Sequence, residues 1–348
     1  NCINKEVPQR HESGRDMTVD VLAALPKLAQ RLGGADAVLA SAERLSGGAS
    51  METWAFAVET LKGERRDLIL RRRSAPFDPD TSRSVSLAAE AALIEAVRSQ
   101  GAPAAPLVHL CDEADGLGEA HVTARVSGET LGRKIVSDPR FEAVRPKLAR
   151  QCGEILAQIH ATPPPAAAGL KSADFLGELA RYEEIYRGSG AERPVLELAF
   201  QHLKKHAPEP APLTLLHGDF RNGNLMIDPE IGVAAVLDWE LAHIGDPAED
   251  LGWICVNSWR FGAIDKPVGG FGTRDELFAG YEQAGGRADR SRVKFYEVMG
   301  TLRWGVMCGG MMQRFRLQPD HSMERAMIGR RASETEIDLL RLLAPRGD

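Results

Sequence analysis

The sequence predicts an α+β chain in two lobes, a small β-rich one followed by a larger, mainly helical one. Three observations predict it. The first third alternates strand-like segments around one long stretch of good helix formers, apolar residues recur at helical spacing from about residue 141 onward, and a short β segment between residues 213 and 239 interrupts those helices.

The elements follow in order. "VDVLAALPKLAQRL" (19–32) has helical composition, and "TWAFAVET" (53–60) sets Trp54, Phe56 and Val58 on one face against Ala55 and Ala57, the period of a strand. "LKGE" turns around Gly63 and "RDLILRRR" (66–73) returns, which makes a hairpin. "SVSLAAEAALIEAVRSQG" (84–101) is helical, with Gly101 past its end. "PLVHLCD" and "EAHVTARV" are two further strands joined by "EADGLG". Helices begin after "SGETLG" with "FEAVRPKLARQCGEILAQIHAT" (141–162), where Leu148, Cys152, Ile155 and Ile159 share a face. The expected division is therefore a lobe over 17–126 and a second over 127–348, with residues 1–16 as a tail. "TPPPAAAG" and "APEPAPL" read as proline-rich connectors.

Composition narrows the function. Forty-three Lys and Arg against 49 Asp and Glu leave a formal charge of −6, which argues against bulk electrostatic binding to nucleic acid. Five cysteines without CxxC spacing suggest neither a disulfide framework nor a zinc site, so a reducing cytoplasm is the expected setting. No apolar run approaches the ~18 residues of a membrane span.

Chemistry concentrates in the β segment, where "LTLLH", "NLMID" and "VAAVLDW" frame the loop "HGDFRNGN" (217–224). Each Asp or Asn alone is ordinary turn chemistry. Jointly they say more, because a hairpin over "NLMIDPEIGVAAVLD" returns Asp238 to Asn224 with Asp219 nearby, a set of hard oxygen ligands suited to Mg²⁺, which completes its octahedron with substrate phosphates. His202 and His206 close a helix and have no third ligand, and Trp253, Trp259 and Trp304 read as core or pocket walls. Asp246, Pro247 and Glu249 read as a helix start with an Asp cap.

"HGDFRNGN" followed by "VLDWE" resembles the catalytic loop and metal-binding Asp of the aminoglycoside phosphotransferase-like family, small-molecule kinases that share the protein-kinase-like fold. The resemblance continues through "LSGGASMETW", "LILRRR", "AAEAALIEAV", "HIGDPAEDLGW" and "IGRRASETEIDLL", from about residue 40 to 340, and is strongest to the branch fused to acyl-CoA dehydrogenases. It implies ATP and Mg²⁺ as cofactors and a small-molecule hydroxyl as acceptor. Asp219 is then the catalytic base or orienting carboxylate, Asn224 and Asp238 hold the metal, and Arg221 reaches the transferring phosphate or is a solvated loop residue. His217 braces the loop, and Asp250 needs buried donors from its backbone. Gly47, Gly48 and Ser50 of "SGGAS" match the phosphate-covering loop, although a plain hairpin turn has the same composition. Arg71 stands where the family carries a phosphate-gripping lysine, opposite Glu90, and adenine would lie near residues 124–128. Arg and Lys hold phosphate differently, so a nucleotide-binding module with little catalysis is the second reading. A third is a metal-dependent hydrolase built on His217, Asp219, Asp238 and His243. Residues 286–331 hold ten basic side chains against four acidic ones, which points to a neutral or anionic acceptor rather than a polycationic aminoglycoside.

Overall fold

The computed structural model describes residues 19–47, 51–75, 77–78, 83–317 and 322–344, without the side chains of Ser46 and Gly47. The first helix, α1 (Val21–Gly33), is capped by the Asp20 side chain and leads into β1 (Val38–Gly47), β2 (Met51–Glu59) and β3 (Arg65–Arg73). Helix α2 (Leu87–Ser99) starts on a Ser86 cap and is followed by β4 (Leu107–Leu110) and β5 (Ala120–Ala124). These five strands form one antiparallel sheet in the order β1-β2-β3-β5-β4. The alternation of β2 sets which side chains enter the core: Phe56 and Val58 join Leu68 and Leu70 of β3 and Leu25 and Leu28 of α1 in a small apolar cluster, while Ala55 and Ala57, on the other face, are buried outside it.

The larger part contains α3 (Gly132–Ser137), α4 (Arg145–His160), α5 (Phe175–Gly188) and α6 (Pro194–Lys205). Then come β6 (Thr214–Leu216), the hairpin β7 (Leu225–Asp228) and β8 (Gly232–Val236), and β9 (His243–Gly245), which pairs with β6. Helices α7 (Ala248–Trp253), α8 (Arg274–Gln283), α9 (Arg290–Leu317), α10 (Met323–Arg330) and α11 (Ala332–Leu343) complete it. Leu148, Cys152, Ile155 and Ile159 of α4 all lie in its core, as their spacing requires.

Two features depart from the sequence reading. Asp246 lies one residue before the cap of α7: Pro247 is the N-cap, while Asp246 Oδ1 accepts from the Ala248 amide (3.0 Å). In addition, Leu93, Ile94 and Val97 of α2 pack into the core of the larger part rather than the small sheet's core. That helix therefore bridges the two. No helix among the described residues is long and apolar enough to cross a membrane.

Candidate active site

Residues 217–224 occupy the turn between β6 and β7. Gly218 has φ +79, and a Cβ there would stand 2.2 Å from the Leu241 carbonyl oxygen, so the tight passage requires glycine. His217 is fully buried; its Nδ1 accepts from the Asp219 amide (3.2 Å) and its Nε2 donates to the Leu237 carbonyl (3.0 Å). Beneath the turn, Asp250 of α7 accepts from the amides of His217 (2.8 Å) and Gly218 (2.9 Å), with His160 at 3.3 Å. Burial opposes the Asp250 charge, but His160 and the His217 amide hold its carboxyl below the usual range. The bend is thus fixed from below by a buried anion.

Asp219 is held on both oxygens. Oδ1 accepts from Trp253 Nε1 (2.7 Å) and Arg221 Nε (3.1 Å), and Oδ2 accepts from Asn224 Nδ2 (2.7 Å) and Arg221 Nε (3.2 Å). The Arg221 guanidinium also lies 4.7 Å over the Trp259 ring, so Arg221 is not a solvated loop residue. Since Asn224 spends its amide nitrogen on Asp219, its amide oxygen is the atom left to ligate a cation. The β7–β8 hairpin brings the next carboxylate close: the Leu237 amide donates to the Asn224 carbonyl (2.9 Å), and Asp238 follows with φ +66, a left-handed conformation that costs an L-residue about 1–2 kcal/mol.

Arg71 closes the site from β3. Its Nη2 donates to Asp238 Oδ1 (2.6 Å) and Glu240 Oε2 (3.2 Å), while its Nε lies 3.2 Å from Glu90 Oε2 without hydrogen-bond alignment. Burial pushes the Glu90 carboxyl up to about 8 against the pull of Arg71. Burial and the neighbouring Asp238 charge likewise raise the Glu240 carboxyl. A cleft of about 920 Å³ lies between the sheet and the 217–224 turn, and its lining includes Arg71, Glu90, residues 124–128, Asn224 and Asp238. That volume suits a nucleotide-sized ligand. Gly47 ends β1, whereas Gly48 and Ser50 lie outside the described residues.

Other metal-like sets are already occupied. His243 has Nδ1 2.9 Å from the Leu241 carbonyl oxygen and Nε2 3.3 Å from Glu249, so neither His243 nor His217 has a free ring nitrogen for the hydrolase arrangement. His109, Cys111 and Asp115 bring three potential ligand atoms within 4.8 Å of one another. However, Asp115 is engaged by Arg31 (2.8 Å) and the Asp112 amide (2.9 Å), and burial pushes the Cys111 thiol up to about 12.

Sequence reasoning missed three participants. Glu240 stands two residues after Asp238 in "VLDWE", with no motif of its own to mark it. Trp253 and Arg303 carried no polar pattern of their own, because Trp253 sits amid apolar residues and Arg303 is one of many arginines on α9.

An antiparallel sheet and a helical part facing each other across a nucleotide-sized cleft, with Asn224 and Asp238 in its lining and Asp219 bonded to Asn224, define a small-molecule phosphotransferase of protein-kinase-like fold. The chain belongs to the phosphotransferase enzyme family, which matches residues 41–296. It is 28% identical over 202 residues to acyl-CoA dehydrogenase family member 10 of Mus musculus, covering 55% of this chain and 18% of that protein. It is also 28% identical over 165 residues to human acyl-CoA dehydrogenase family member 11, covering 45% of this chain and 21% of the other. The chain thus spans about a fifth of the length of these curated relatives. Among solved structures it shares the fold of a proposed aminoglycoside phosphotransferase from Ralstonia eutropha JMP134, at 22% identity and a TM-score of 0.69 over 92% of this chain and 97% of that one. A spectinomycin phosphotransferase solved with ADP and spectinomycin gives 14% identity and a TM-score of 0.62, over 92% and 98%.

Proposed function

We propose that this chain transfers the γ-phosphoryl group of ATP, with Mg²⁺, to a hydroxyl of a small neutral or anionic acceptor. The observation that carries the reading is the Asp219 carboxylate, fixed on both oxygens and bonded to Asn224, which lines the cleft together with Asp238. Mg²⁺, when bound, would neutralise charge on the phosphate oxygens, and the Asn224 and Asp238 oxygens are the donors suited to hold it. Asp219 orients the acceptor hydroxyl and takes its proton. Arg221 now covers both Asp219 oxygens, so an arriving hydroxyl takes its place and frees the guanidinium for the transferred group. Arg71 exchanges part of its contact with Asp238 and Glu240 for the nucleotide phosphates, with Gly47, Gly48 and Ser50 covering them from residues 46–50 and adenine at residues 124–128. The lobe over 17–126 supplies the nucleotide side and 127–348 the acceptor side. A reducing, ATP-rich cytoplasm suits four free cysteines among the described residues.

The acceptor class rests on charge and on kinship. Much of the basic excess in 286–331 is paired, Arg292 with Asp246, Arg303 with Glu249, Arg290 with Asp275 and Arg331 with Glu334, so the acceptor is met by a nearly balanced surface rather than the carboxylates a polycation requires. The kinship to acyl-CoA dehydrogenase family members makes hydroxylated acyl compounds the class to assay first. The test is Mg²⁺-dependent ADP formation with hydroxyacyl-CoA or hydroxy acids beside kanamycin-type aminoglycosides. Turnover on the anionic set alone is expected, and turnover on aminoglycosides alone overturns the acceptor class. Mg²⁺-nucleotide binding without any ADP favours the binding-module reading, for which the Arg71–Asp238 contact is the supporting observation.

A further inference from the structure

Trp253 is 3% exposed and belongs by composition to a core, yet its one polar atom is spent on Asp219. Its ring is fixed on several sides. The Arg303 guanidinium stacks 4.4 Å from its centroid, the Trp259 ring lies 5.2 Å away, and Gly300 leaves the space the ring fills, since a Cβ there would come within 2.9 Å of Trp253 Cε3. Arg303 is anchored in turn, donating to Glu249 (3.2 Å) and to the carbonyl of Gly218 in the catalytic turn (3.2 Å).

We infer that Trp253 is a positioning residue for Asp219, held in place by Arg303 and Gly300 of α9. The geometry gives the reason. Asn224 secures Oδ2 from the metal side and Arg221 reaches both oxygens, but by the proposed mechanism Arg221 leaves when the acceptor arrives. Trp253 is then the sole remaining donor on Oδ1 among the described residues. A carboxylate pinned by one oxygen alone can rotate about its Cβ–Cγ bond, whereas one pinned at both keeps its plane and presents a defined lone pair. The indole N–H suits this task because it donates without competing for the acceptor's proton and without adding charge.

This inference rests on the proposed phosphotransfer, and the two are tested separately. Trp253→Phe keeps an aromatic ring and removes the donor, so kcat for ADP formation is expected to fall about tenfold, the worth of one hydrogen bond to a charged group, while KM for MgATP stays within about twofold. In an Asp219→Asn background the same change is expected to add nothing. Gly300→Ala, which crowds the ring without touching Asp219, is expected to lower kcat in the same sense. Full kcat in Trp253→Phe, or an equal loss repeated in the Asp219→Asn background, overturns the inference. Indole N–H resonances read the contact without turnover: the ¹H–¹⁵N signal missing in Trp253→Phe should be the indole signal that moves most in Asp219→Asn. An unmoved signal overturns the contact itself. A parent protein forming no ADP counts against the phosphotransfer alone, and the indole spectrum still decides the positioning.

Discussion

Asp219 and Arg71 are the two charged centres of the cleft, and they are built in opposite ways. Asp219 is one anion served by three donor side chains, on a turn pinned from below by Asp250. Arg71 is one cation shared among Glu90, Asp238 and Glu240, with its Nε poorly aligned and its contacts reaching from one part of the molecule to the other. The first is organised before any ligand arrives, as its proposed task of orienting a hydroxyl requires. The second is a loose electrostatic clasp. By the proposed function its longer contacts with Glu90 and Glu240 are exchanged for phosphate more readily than the 2.6 Å bond to Asp238. The difference teaches that a substitution should cost most at the turn and least at the clasp.

Asp219→Asn attacks the ordered side directly, and turnover is expected to fall by about 10³-fold with nucleotide binding retained, measured by ADP release and by thermal shift with MgATP. Turnover within about tenfold of the parent would remove Asp219 from the chemistry. Asp250→Ala takes away the anion beneath the turn and leaves the His217 and Gly218 amides buried without acceptors; a loss of about 3 kcal/mol in urea unfolding is expected. On the clasp side, Asp238→Ala is expected to abolish the Mg²⁺ dependence of nucleotide binding in a titration of the metal, and an unchanged dependence would show that the hairpin does not present a ligand.

Glu90 sharpens the comparison through pH. Its carboxyl sits near 8 in the folded chain against about 4.5 unfolded, so the folded state favours the protonated form and its contribution is complete only below the lower value. That contribution is lost as pH rises toward 8. Relative to Glu90→Gln, which cannot titrate, the parent is expected to lose about 3.5 kcal/mol of unfolding free energy between pH 5 and 8, and parallel stability curves would refute the shift. Arg71→Lys should have the smallest effect. MgATP affinity is expected to change by less than about tenfold, since a point charge can still serve two of the three carboxylates.

Legibility in the sequence followed the range of the interactions. The β2–β3 and β7–β8 hairpins, α2 and the helical run from α4 were readable because a local period and a turn residue specify each. The proximity of Asn224 and Asp238 was readable for the same reason, being one hairpin apart. β9 escaped because three residues carry no period, and its pairing with β6 depends on the whole β7–β8 excursion between them. The contacts of Arg71 with Asp238 and of Arg303 with Gly218 were invisible, since 167 and 85 residues separate the partners and no pattern encodes them. Trp253 escaped for a different reason. An indole reads as apolar mass, and only three-dimensional placement shows that its N–H has a carboxylate to meet.

The bridging placement of α2 bears on how the chain is made. Leu93, Ile94 and Val97 face partners that include the segment 166–168 and Trp239, which leave the ribosome many residues later. In a nascent chain stopped at the proposed boundary near residue 126 those partners are not yet made, and that apolar face of α2 lacks its cover. The full seating of the Glu90 helix therefore depends on segments made after the small sheet, among them the 239–241 turn that follows Asp238.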